Sequence, residues 1–240
     1  MKLPEIPANV FSEAVREFWK IRERQAQKQQ KEGKRDQGSR GAVTGGKQME
    51  PFARVIIQFL EEVGVRRSDI YYGNFPTDLP GFYRPTKRWD IIVVSSKNLL
   101  AAIELKSQVG SFGNNFNNRT EEALGSAEDI WTAYREGAFL TSPAPWLGYL
   151  FLLEDCEKSR EPVRVNEPHF PVFEEFRGAS YAKRYELFCR KLVRERKYSA
   201  ACFLLTDSSK ADSENNYTEP AEDLNARQFL IQLLRHVLFM

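Results

Sequence analysis

Three ionisable residues combine a chemically useful type with a useful spacing: Asp90 in RWDIIVVSS, and Glu104 and Lys106 in LLAAIELKSQ. Both segments otherwise read as buried strand, apolar and rich in β-branched residues. A period of two puts Ala102, Glu104, Lys106 and Gln108 on one strand face and Ala101, Ile103 and Leu105 on the other. With Ser96, Lys97 and Asn98 as the connecting loop, Ser95 pairs with Leu99, and counting outward sets Asp90 opposite Glu104. Opposed residues of an antiparallel pair share a face, with Cβ atoms roughly 4.5–5.5 Å apart. Two carboxylates so placed repel each other, and both lose hydration. A hard divalent cation relieves both costs, because Mg2+ takes about one or two carboxylates and completes its shell with water and phosphate oxygens. Lys106 then stands beside water and an incoming phosphate, as phosphodiester hydrolysis requires.

The same three residues also suit a solvated strand face on which Glu104 and Lys106 pair locally, since so short a pattern recurs by chance. Two features favour the site. IIVV is apolar on both faces, which marks a central strand rather than an edge. Lys106 is also followed by Gln108 and then by GNNFNNRT, which is dense in residues that read nucleic acid.

The elements that position these residues follow from periodicity. Residues 8–31 and 48–63 read as helices, the second with Phe52, Val55, Ile56 and Phe59 inward. A short strand is expected at 70–72, then a Pro-rich loop over 74–88 and the strands 89–94 and 99–107. QVGSFGNNFNNR reads as a loop, followed by a helix over 120–134 capped by Thr120. Strands at 146–154 and 199–206, a basic amphipathic helix over 178–197 and a final helix over 222–239 complete the chain. The pattern is α/β, a mixed central β-sheet flanked by helices, and residues 1–240 read as a single domain.

Within that domain, residues 22–48 form a basic Gly/Gln-rich segment with eight Lys or Arg against three Asp or Glu. Composition sets bounds on the rest. A net charge of +2 does not by itself imply a nucleic-acid partner, and 42% hydrophobic residues suffice for a core. Cys156, Cys189 and Cys202 are odd in number and lack metal spacing, so reduced thiols in a cytosol are expected. Neither an apolar leader nor an 18-residue apolar run occurs, which points to a soluble cytoplasmic protein without membrane contact.

Asn114, Asn115, Asn117, Asn118 and Arg119 are candidate DNA contacts, since asparagine pairs with adenine and arginine with guanine. Asparagines also bend and cap backbone, and Arg119 suits a phosphate equally well. GAVTGGKQ, residues 41–48, approaches a phosphate-binding loop but has Gln48 where a hydroxyl should hold Mg2+, and no buried strand precedes it. That argues against nucleotide hydrolysis and leaves Lys47, Gln48 and the Gly45–Gly46 amides as candidates for DNA phosphate. Glu50 is a possible additional metal ligand, and Gln108 a possible additional site residue.

Asp90, Glu104 and Lys106 resemble the PD-(D/E)XK nuclease motif, with Trp89 in place of the proline. RPTKRWD, AAIELKSQVGSFGNNFNNRTEEALGSAEDIWTAYREGAF and GASYAKRYELFCRKLV with YTEPAEDL resemble the XhoI family of type II restriction endonucleases over nearly the whole chain. The likeness is most specific from Arg84 to Phe139, and departs from the pattern in lacking a proline between Gly110 and Ser111. The resemblance implies a restriction-endonuclease-like core and Mg2+-dependent cleavage of double-stranded DNA at CTCGAG, leaving 5′-phosphate ends. Asp90, Glu104 and the Leu105 carbonyl would hold the metal, and Lys106 would orient or activate water. A twofold target implies a homodimer, and a restriction system implies a cognate DNA methyltransferase. The rival readings are a repair or recombination nuclease without sequence preference and a non-catalytic DNA-binding module.

Overall fold

The computed structural model describes residues 3–31 and 46–239. Residues 32–45 of the basic segment, Gly45 included, lie outside the described residues. Helix α1 (Ser12–Lys31) is followed by a 3-10 turn (Gly46–Met49), helix α2 (Glu50–Glu62) and the short strand β1 (Ile70–Tyr72). Strands β4 (Ile91–Ser95) and β5 (Asn98–Gln108) form the expected hairpin. Strands β6 (Trp146–Glu154) and β7 (Ala200–Thr206) complete a five-stranded sheet in the order β1-β4-β5-β6-β7. β1, β4 and β5 pair antiparallel, whereas β5, β6 and β7 are parallel.

Parallel neighbours need crossover connections. Helix α3 (Phe112–Arg135) connects β5 to β6, and α5 (Tyr181–Arg194) connects β6 to β7 after the single-turn helix α4 (Glu157–Arg160). Ala123, Ala127 and Ile130 of α3 and Tyr185, Phe188 and Leu192 of α5 pack on one sheet face with Ala102, Tyr149, Phe151 and Phe203. The opposite face, with Ala101, Ile103, Leu105, Leu150 and Cys202, packs against α1, α2 and the C-terminal helix α6 (Ala226–Leu238). The alternation read along β5 therefore separates two cores, and Glu104 and Lys106 belong to the α3/α5 side. All three cysteines are free thiols, as expected.

The β4–β5 turn is one residue tighter than the sequence reading. Ser96 and Lys97 take φ values of +50° and +67°, and Ser95 pairs with Asn98 rather than Leu99. Positive φ at both central positions gives a turn whose twist matches the paired strands. A bulge between Val93 and Val94 absorbs the difference, and from Val93↔Ala101 to Ile91↔Ile103 the pairing runs in the expected register.

Two segments depart from expectation, each through tertiary contact. QVGSFGNNFNNR is not a loop: α3 begins at Phe112, after left-handed Gly110 and Ser111 (φ +64° and +46°). Asparagine and glycine are poor helix formers, each costing a few tenths to about 1 kcal/mol against alanine. Phe112 and Phe116, one turn apart, outweigh this by packing on Tyr181 and Tyr185 of α5, with ring centroids 6.0 and 5.0 Å apart. Thr120 is accordingly no cap but a mid-helix residue whose hydroxyl donates to the Phe116 carbonyl at 2.9 Å.

The Pro-rich segment over 74–88 contains a second hairpin, β2 (Asp78–Pro80) with β3 (Thr86–Arg88). The buried carboxylate of Asp129, on α3, pins its turn by accepting the N–H groups of Phe82 at 2.7 Å and Tyr83 at 2.8 Å. The Arg84 Nε donates to the same group at 2.7 Å. A Cβ on Gly81 would lie 2.5 Å from an Asp129 oxygen, so only glycine permits this approach.

Gly148 in β6 is similarly confined, since a Cβ there would lie 2.4 Å from the Trp146 ring and 2.9 Å from Phe229. Gly148→Ala is expected to destabilise the fold by about 1–3 kcal/mol through overpacking. Urea unfolding with an unchanged slope and a lower midpoint would verify this, and a wild-type midpoint would contradict it.

Candidate active site

The site forms just before β4 begins. The Asp90 amide still donates to the Ile103 carbonyl at 3.2 Å, but the next strand N–H, that of Leu105, donates to the Asp90 side chain Oδ2 at 2.7 Å. A carboxylate thus replaces backbone as the partner of β5. A residue in an extended strand presents its N–H and C=O to the same side, so the Leu105 carbonyl also faces this vacated edge. Asp90 is near enough to Glu104 for the two charges to act on each other.

Glu104 is 5% exposed, with an ammonium group on each oxygen. Lys106 from the same strand pairs with Oε1, and Lys87 from β3 pairs with Oε2 at 2.5 Å. The Lys87 ammonium also donates to the Arg88 carbonyl at 2.9 Å and lies 4.2 Å from the centroid of the Trp89 ring. Below the site, Tyr149 pairs with Glu104 in register across β5 and β6, and Tyr149 and Tyr198 are fully buried. The site floor is therefore dry and aromatic.

This setting drives the two carboxyls apart. Burial, reinforced by the negative charge of Glu104, pushes Asp90 up to about 6 despite the opposing Lys106, Leu105 N–H and Lys87. Burial acts on Glu104 too, but the charges and hydrogen bonds of Lys106 and Lys87 overcome it and hold that carboxyl below its ordinary value. Desolvation favours loss of the Lys106 proton, yet Glu104 and Asp90 outweigh it and keep the ammonium charged. Two carboxylates thus stand beside the charged Lys106, with Lys87 paired to Glu104.

Arg119 is near enough for its charge to act on Lys106. Its side chain is 14% exposed and its Nη1 donates to Glu122 at 2.8 Å, while its buried Nε has no partner among the described residues. Asn114, Asn117 and Asn118 sit in the first two turns of α3 with their side chains exposed. Asn115 is half-buried and donates back to the Ser111 carbonyl at 2.9 Å. The candidate DNA contacts are thus set by helical rather than loop geometry.

The remaining candidates are dispersed. Gln48 is buried, donating to Ser107 at 3.0 Å and accepting from Arg22 at 3.0 Å, so its amide serves internal partners. Lys47 beside it is exposed. Gln108 is buried and donates to the Gly110 carbonyl. Glu50 is half-exposed and pairs with Arg54 at 3.6 Å. Lys87 was not singled out from sequence, although it lies three residues before Asp90 within RPTKRWD. The one available signal is a second lysine close to the acidic motif, and the β2–β3 hairpin that aims it falls in the Pro-rich segment expected to be loop.

No cluster of three or more His, Cys, Asp or Glu side chains occurs among the described residues. Two carboxylates with one backbone carbonyl are hard oxygen donors, too few for a closed protein cage. They fit a cation that retains water and takes phosphate, as Mg2+ does, and not a thiolate or imidazole metal.

Among the described residues, no helix is long and apolar enough to cross a membrane. Residues 28–219 match the family described as restriction endonuclease XhoI. The chain is 57% identical over 209 residues to the type II restriction enzyme BstVI of Geobacillus stearothermophilus, covering 85% of this chain and 92% of that one. It is 51% identical over 158 residues to the type II restriction enzyme XhoI of Xanthomonas vasicola, covering 65% and 64% of the two chains. Against the type II restriction enzyme AbrI of Azospirillum brasilense it is 50% identical over 159 residues, with 66% and 71% covered. No solved structure matches. A mixed sheet flanked by helices, an Asp/Glu/Lys cluster where an antiparallel ladder ends, and these matches agree: the chain belongs to the XhoI family of type II restriction endonucleases, which are site-specific deoxyribonucleases.

Proposed function

We propose that this chain hydrolyses double-stranded DNA at a specific palindrome, CTCGAG by its resemblance to the family, leaving 5′-phosphate and 3′-hydroxyl ends. One observation carries the chemistry: Asp90 takes the Leu105 amide at the sheet edge, beside a buried Glu104 paired with Lys106. Asp90, Glu104 and the Leu105 carbonyl would hold Mg2+. When bound, the ion supplies Lewis-acid charge at the scissile phosphate. Glu104 keeps the Lys106 ammonium within reach of the phosphate, where it orients the attacking water and offsets the charge that develops as the P–O3′ bond breaks. Arg119, whose charge acts on Lys106, would meet a neighbouring phosphate, and the exposed Asn114, Asn117 and Asn118 of α3 would meet base edges.

Cutting both strands of a symmetric target calls for a homodimer. Protection of host DNA calls for a partner methyltransferase acting on the same sequence, in the cytoplasm where both meet DNA. Plasmid digested with Mg2+ should give discrete bands whose mapped ends fall within CTCGAG. A smear would favour a nuclease without sequence preference, and intact plasmid with a persistent gel shift would favour a binding module.

Asp90→Ala and Lys106→Ala are each expected to abolish cleavage while sparing the fold and, in Ca2+, specific binding. Lys106→Ala leaves Glu104 paired with Lys87, which limits its structural cost. Retained cleavage by either variant would strip that residue of its role.

A second expectation follows from the raised Asp90 carboxyl. Its ordinary value is about 3.9, so the folded state favours the protonated form. The stability this contributes is fully present below about pH 4 and is lost as pH rises through about 6. Asp90→Asn, neutral throughout, should therefore gain on wild type between pH 4 and 7 by about 1–3 kcal/mol in metal-free buffer. A stability gap that stays flat over this range in urea titrations would contradict it.

A further inference from the structure

We infer that Lys87 is a positioning residue that competes with the divalent cation for Glu104, so that metal uptake waits for DNA. The inference rests on the metal site proposed above. Lys87 is 11% exposed, with its Nζ 2.5 Å from Glu104 Oε2. Both Glu104 oxygens are engaged by ammonium groups and one Asp90 oxygen by the Leu105 amide. Two negative and two positive charges already balance. A divalent cation entering this buried cluster leaves a surplus of two positive charges, and like charges at contact distance in a poorly hydrated site repel strongly.

The surplus is removed when anions arrive, and the DNA backbone supplies them at the right place. The two lysines differ in how they are tethered. Lys106 is carried by β5 itself, two residues from Glu104, whereas Lys87 extends from the separate β2–β3 hairpin. The Lys87 side chain can therefore leave Glu104 for a phosphate oxygen without moving β5, while Asp129 holds the far end of the hairpin in place. Lys87 thus serves as the cation of the resting site, and DNA draws it off as the metal enters.

A purely structural ion pair makes the opposite prediction, because removing Lys87 would then harm the fold without improving metal binding. The test measures Mn2+ binding to the full chain without DNA, through the loss of the free-ion electron paramagnetic resonance signal. Wild type, Lys87→Met, Lys87→Gln, Lys87→Arg and Asp90→Asn are compared, each verified as folded by circular dichroism. Lys87→Met and Lys87→Gln are expected to bind Mn2+ about tenfold tighter than wild type or better. Lys87→Arg, which keeps the charge, should stay within a few-fold of wild type. Unchanged, weaker or unmeasurable binding by both neutral variants overturns the inference, and if Asp90→Asn still weakens binding the metal site itself stands. Mn2+ binding indifferent to Asp90→Asn would instead remove the metal site.

Discussion

The constraint on which this structure turns is an ionised glutamate on the dry face of a central β-strand. Glu104 is buried among aromatic rings, and a charge there is tolerated only with close, hydrogen-bonded partners of opposite sign. Lys106 comes from the same strand, but Lys87 must be delivered from elsewhere. The β2–β3 hairpin delivers it, and the buried carboxylate of Asp129 holds the turn of that hairpin. Asp129 lies on α3, and α3 is locked against α5 through Phe112 and Phe116. A chain of dependence therefore runs from one carboxylate through a hairpin and a helix into the α3/α5 core.

Asp90 is held quite differently. It lies just before β4 begins, and its side chain takes over the hydrogen bond that a longer strand would have offered Leu105. Ending the ladder there opens the edge of β5 and turns a backbone carbonyl toward the two acids. The neighbouring carboxyls diverge as a result, Asp90 being protonated more readily than usual and Glu104 less. Only Glu104 has an ammonium on each oxygen, whereas Asp90 has a single backbone donor and a like charge beside it.

Much of this was legible because it depends on local alternation. The face shared by Ala102, Glu104, Lys106 and Gln108, and the opposite face of Ala101, Ile103 and Leu105, followed from the strand period and reappear as two separate cores. The pairing that brings Asp90 toward Glu104 was also legible, although the turn proved tighter and a bulge restored the register. The start of α3 was not, because asparagine and glycine read as loop until Phe112 and Phe116 find Tyr181 and Tyr185 across space. The same holds for the β2–β3 hairpin, whose turn depends on a carboxylate more than forty residues away in sequence.

By itself, the order of residues determined which side chains would share a strand face and that two acids and a lysine would meet there, since β-alternation and hairpin pairing act over a few neighbours. Tertiary structure alone decided that Lys87 would occupy the second oxygen of Glu104, that the asparagines would line a helix, and that Gln48 would turn inward to Ser107. Each of those outcomes rests on contacts between segments distant along the chain, where burial and charge pairing override local propensity.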